Sequence, residues 1–178
     1  SRYGYFIDQE SDGRQTRLIK FDTHNGQIKT LIAEEPEFCA SIIPAMHWST
    51  LMKALPGSKE LIWSSERSGW MHLYLYDLES GTLKNPITQG EWLVRNILFF
   101  DQDKRELIIQ TAGRTQDRNP YYRDICRVNI DTGHLSTLLS TDHEYVVADH
   151  GISYMFCCIA SDLSSGVSPS GRYIVSTG

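Results

Sequence analysis

The chain has 178 residues, with 17 Lys+Arg against 22 Asp+Glu and a formal net charge of −5. Hydrophobic residues make up 40% and charged residues 22%, the balance of a globular domain with a buried core. The acidic balance argues against nucleic-acid binding, which needs surplus Lys and Arg on one face. No apolar run approaches the roughly 20 residues that span a bilayer.

Helical periodicity is nearly absent. Short aromatic and β-branched runs alternate with Gly, Asp, Asn and Ser clusters, which marks an all-β chain. Strands are expected over 3–8, 16–22, 27–33, 41–48, 59–65, 71–77, 82–88, 92–100, 106–112, 122–130, 134–140, 152–160 and 171–177. The start, Ser1-Arg2-Tyr3, is neither a signal peptide nor an initiator Met and is expected to be a processed or cut end. Four cysteines, Cys39, Cys126, Cys157 and Cys158, are too few for a disulfide scaffold and are expected as small buried hydrophobes. No Asn opens an N-x-S/T acceptor.

The elements repeat. Arg17–Asp22, His72–Asp77 and Asp124–Asn129 each end in Asp or Asn, and each is followed four residues later by glycine, at Gly26, Gly81 and Gly133. These glycines are 55 and 52 residues apart. An Asx side chain that bonds the turn backbone, with a glycine free to take positive φ, is hairpin chemistry. A second element recurs at one phase of the repeat: a polar turn before an apolar strand, at 56–63, 102–109 and 168–175. A period near 50 with about four strands per unit indicates a β-propeller, whose blades bury their faces by stacking.

The fold expected is an all-β partial propeller, an arc of about three to four blades of four-stranded antiparallel sheets. The phase divides it into a partial blade over 1–36, blades over 37–89 and 90–142, and a partial blade over 143–178. A closed propeller needs more, so the sequence is expected to be a piece of a larger one. A small β-sandwich is disfavoured, because it would not repeat at this period.

Trp63-Ser64-Ser65-Glu66-Arg67-Ser68-Gly69-Trp70-Met71-His72-Leu73-Tyr74-Leu75-Tyr76-Asp77 resembles a signature of the dipeptidyl peptidase IV N-terminal domain. Ile87–Val94 resembles its threonine–glycine–tryptophan–valine strand. Asn119–Val128 resembles its proline-to-arginine strand, and Val167–Val175 its blade-opening serine–proline–glycine strand. The matches come in family order across most of 55–178; residues 1–54 match by repeat. The resemblance implies the propeller of a serine exopeptidase of the prolyl oligopeptidase class. In that family the propeller admits short peptides, a glutamate pair holds the free amino terminus, and a separate α/β-hydrolase domain cleaves after a penultimate proline or alanine.

Catalytic residues are not expected in this chain. A nucleophile elbow needs G-x-S-x-G; Gly151-Ile152-Ser153-Tyr154-Met155 and Gly166–Ser170 both fail the pattern. Glu34-Glu35 lacks the family's aromatic context and is read as a chance doublet. His143, Asp149 and His150 have no metal-ligand spacing and are expected as loop residues. Glu66-Arg67 is expected to be a turn-stabilising ion pair at a blade edge. The arginines at 105, 114, 118, 123 and 127 alternate with acids and are expected on a mixed solvated face. Trp63, Trp70 and Trp92 are expected in packing between blades. Trp48 alone is placed near substrate, because the resemblance puts its loop at the active-site cavity. The expected partners are a hydrolase domain of the same parent chain and short peptides, with self-association through strand edges near 3–8 or 171–177. No cofactor, metal or nucleic acid is expected, and the compartment is not readable. The chain alone is expected to be inactive. The alternative is a non-catalytic propeller in a binding or scaffold protein.

Overall fold

A computed structural model describes residues 2–10, 15–35, 52–140, 142, 146–147, 167–168, 170, 172–174 and 176–177. Among them there is no helix, and so none long and apolar enough to cross a membrane. The strands form two compact units, Ser1–Gly90 and Glu91–Gly178. Among the described residues all pairings are antiparallel, and no sheet is closed.

The first unit holds two sheets. Strands β1 (Tyr3–Gln9), β2 (Thr16–Asp22) and β3 (Ile28–Glu34) form a three-stranded meander. Strands β4 (Met52–Ala54), β5 (Glu60–Ser65), β6 (His72–Asp77) and β7 (Leu83–Pro86) form a four-stranded one. Every residue of β5 is buried, and all of β6 except Asp77. A strand buried on both faces reads as a continuous apolar run rather than an alternation. One face carries Leu61, Trp63, Tyr74 and Tyr76, which pack with Leu18, Leu31 and Ile32 of the first sheet. The approach is close at Gly81, where an added Cβ would lie 2.2 Å from the Leu31 carbonyl oxygen.

The second unit is built on β8 (Leu93–Asp101), β9 (Glu106–Ala112), β10 (Arg123–Asn129) and β11 (Leu135–Leu139), paired in sequence order. Two register shifts in β8, at Val94/Asn96 and Ile97/Phe99, re-aim its apolar run. Leu98, Ile108 and Ile125 pack with Val167, which bridges to Ile174. The short strands β12 (Val146–Val147) and β13 (Ser176–Thr177) pair with each other.

The repeated turns share one construction. Gly26, Gly81 and Gly133 have φ of 72°, 81° and 69°. Each donates its N–H to the carbonyl of Asp22, Asp77 or Asn129 at 2.9 Å. The side-chain oxygens of those residues accept from His24, from Glu79 and Ser80, and from Asp131 and Thr132. For Asp77, the Ser80 N–H and then its hydroxyl hold the carboxyl pKa below the usual range. The second recurring turn is seen at Ser168, whose hydroxyl accepts from the N–H groups of Arg172 and Tyr173.

The strand expected over 41–48 lies outside the described residues; the strand that pairs with β5 is Met52–Ala54. The strand expected over 152–160 also lies outside them. Within 171–177 the described pairing is the Val167–Ile174 bridge and β13.

Candidate functional site

The Trp63–Asp77 motif is the β5–β6 hairpin. Its turn closes with Gly69 N–H donating to the Glu66 carbonyl at 2.8 Å, and Gly69 has φ 86°. Arg67 does not pair with Glu66. Its guanidinium reaches back to Glu34, at the end of β3, and lies 4.2 Å from the centroid of the Tyr74 ring. Its Nε donates to Ser65 Oγ at 3.0 Å. Burial works against its charge, but hydrogen bonding to Tyr76 and the charge of Glu34 raise its pKa overall. The expected turn pair is therefore an ion pair between sheets. The correction has a plain cause: Glu34 is 33 residues away and invisible to local pattern. Glu34-Glu35 is committed to this scaffold too, since Glu35 accepts from Gln15.

His72 anchors the other end of the hairpin and is 1% exposed. Its Nε2 lies 2.9 Å from the Gly90 carbonyl, which can only accept, so Nε2 carries the proton. Thr88 Oγ accepts from Leu73 N–H and donates to Nδ1 at 3.0 Å. Burial pulls the imidazole pKa down, against the opposing pull of the Gly90 carbonyl. This locks His72 to the Thr88–Gly90 segment.

In the second unit, the 113–122 connection is held by two arginines. Arg114 reaches Cys126 Sγ at 2.9 Å and Thr137 Oγ1 at 3.1 Å, and its guanidinium stands 5.4 Å from the centre of the Trp92 ring. Arg118 pairs with Asp124 and donates to Ser140 Oγ at 2.8 Å. The Arg118 and Asp124 side chains are 10% and 3% exposed, so this pair is buried and not part of a solvated face. Arg105–Asp131 and Arg127–Glu106 are more exposed. The loop presents Tyr121 at 72% exposure. Trp63 is core, but Trp70 is 39% exposed, which corrects its place in packing.

Trp48, His143, Asp149, His150 and Ser153 lie outside the described residues, as do Cys39, Cys157 and Cys158. Cys126 is free and buried. Among the described residues no cluster of three or more His, Cys, Asp or Glu could hold a metal ion. Sequence reasoning missed Lys53, a half-buried lysine on β4 whose pKa burial lowers. The described side chains are engaged mainly in building turns and joining sheets.

Antiparallel four-stranded meanders with Asx–Gly hairpins define a partial β-propeller. Residues 6–169 match the model of the dipeptidyl peptidase IV N-terminal region, and the chain belongs to that family. It is 41% identical over 59 residues to the "Probable dipeptidyl peptidase 4" of Emericella nidulans, covering 32% of this chain and 7% of that protein. The protein of the same name from Aspergillus flavus is 39% identical over 59 residues, with the same coverage. Porphyromonas gingivalis dipeptidyl peptidase 4 shares the fold, with a TM-score of 0.65 and 17% identity, over 82% of this chain and 19% of that one. The chain thus matches a small part of the length of these relatives.

Proposed function

We propose that the chain is part of the N-terminal propeller of a dipeptidyl peptidase IV-like serine exopeptidase. In that role it gates and orients short peptides, and a separate hydrolase domain of the same parent chain cleaves after a penultimate proline or alanine. The family match over residues 6–169 carries the proposal. In this reading the chain contributes positioning rather than chemistry. Within each described sheet the strands are paired and the hairpins closed, so the turns they carry need no ordering at each encounter. Trp48 is assigned to substrate contact; Trp48→Ala in the parent enzyme would raise KM for dipeptide amides, and unchanged kinetics would remove that assignment. The exposed Tyr3 and Phe6 on the edge strand β1 support self-association, which light scattering at high concentration would detect.

Gating is tested on the parent protein with substrates of one amino terminus and rising size. A Gly-Pro amide and a short Gly-Pro peptide should be cleaved, and a folded protein starting Gly-Pro should not. Equal cleavage of the folded protein would overturn the gating role.

A further inference from the structure

Lys53 of β4 stands apart from the other lysines of the chain. Lys59, Lys84 and Lys104 pair with Glu79, Glu60 and Asp101. The Lys20 ammonium lies 4.1 Å from the centre of the Tyr3 ring, and Lys29 is exposed. Lys53 is half-buried and forms no ion pair with a described residue. Its surroundings follow from the strand register. Lys53 stands opposite Ile62 of β5, and Ile62 opposite Leu75 of β6. Residues directly opposite share a face of the sheet, so Lys53 continues the row of Ile62 and Leu75, both 0% exposed. The acids on that face are engaged elsewhere: Glu60 pairs with Lys84, and Asp77 accepts from the N–H and hydroxyl of Ser80. Burial alone pulls the Lys53 pKa down, with no neighbouring charge or hydrogen bond acting on it. Among the described residues β4 is the end strand of its sheet, and Lys53 keeps part of its surface open.

A desolvated lysine holds more free amine near neutral pH, and the free amine is the nucleophile. The aliphatic row also selects the product. A Schiff base takes up a proton and restores the charge that burial opposes. A carbamate sets a negative charge at the same place. An amide is neutral, so its formation ends the desolvation cost of the ammonium.

We propose that Lys53 is a site of N-acylation, with an acyl thioester as the donor. The Nζ lone pair attacks the thioester carbonyl carbon. A C–N bond forms, the C–S bond breaks, and one proton passes from nitrogen to the departing thiolate. The products are an uncharged amide and a free thiol. The site does not rest on the peptidase proposal, because it needs only the sheet that carries β4, β5 and β6.

The test is incubation of the full-length protein with acetyl coenzyme A, followed by peptide mass spectrometry of acetyl occupancy at each lysine against time. Near neutral pH, Lys53 should be acetylated roughly threefold or more faster than the exposed Lys29, because more of it is free amine. The advantage should close as pH approaches the ordinary lysine pKa of about 10.4. It should also vanish when the protein is unfolded in urea before the reagent is added. Lys53→Arg should remove the fast component and leave the rate at Lys29 unchanged. A rate at Lys53 no higher than at Lys29 near neutral pH would overturn the proposal. So would a preference that survives unfolding, which would reflect local sequence rather than burial. A parallel incubation with pyridoxal 5′-phosphate and borohydride tests the donor class: selective capture of Lys53 by the aldehyde, without selective acetylation, would overturn acyl transfer.

Discussion

Replacing Gly81 with alanine tests how the two sheets of the first unit meet. Gly81 has φ 81°, where an L side chain costs about 1–2 kcal/mol. Its new Cβ would lie 2.2 Å from the Leu31 carbonyl oxygen, against 3.4–4 Å for ordinary contact. The obstacle is backbone, so no rotamer change relieves it, and one sheet must retreat. Such overpacking costs about 1–3 kcal/mol. Gly26 is the control: it holds the same turn position at φ 72°, and nothing lies within 4 Å of an added Cβ. Gly26→Ala should therefore cost only the conformational strain, and Gly81→Ala about 1–3 kcal/mol more. Urea unfolding followed by tryptophan fluorescence reads the difference, since Trp63 is buried in the cluster that contains Leu31. With slopes of about 1–3 kcal/mol per molar urea, the midpoints should separate by roughly 1 M. Coincident midpoints would refute the close contact between these sheets.

Three further outcomes are expected. His72 has a lowered pKa in the folded chain, so below about pH 6.5 the unfolded chain takes up a proton that the folded chain resists. Stability should fall as pH drops through that window, by at most about 1.4 kcal/mol per unit, and His72→Gln should flatten the dependence in pH-resolved unfolding. Asp124→Asn should cost about 1–3 kcal/mol, because Arg118 keeps only the exposed Asp142 at 3.7 Å and the Ser140 hydroxyl among its named polar partners, while Arg118→Met with Asp124→Leu should recover much of the loss in thermal melts. Arg67→Met should cost about 1–2 kcal/mol from its ion pair and ring contact, and Glu66→Ala almost nothing; equal losses would restore the Glu66 pairing.

What could be read in advance followed from local chemistry. Strands 16–22 and 106–112 match β2 and β9 end to end, because an Asx–Gly turn or a polar turn bounds each apolar run. The hairpin glycines were legible for the same reason. The first strand of the second sheet was not. Met52–Ala54 is three residues long and too short to show alternation. The Arg67–Glu34 pair joins residues 33 apart, and Arg118 meets Asp124 only after the loop folds back. Neither has a spacing that a single sequence displays. Motif order identified the family, because each motif builds a turn or strand whose geometry tolerates few residues.

The most direct test of the central claim sets this chain beside its full-length parent on a Gly-Pro amide. The account predicts release of the amine by the parent and none by the chain alone. Turnover by the isolated chain, or a parent that leaves the Gly-Pro amide intact, would contradict it.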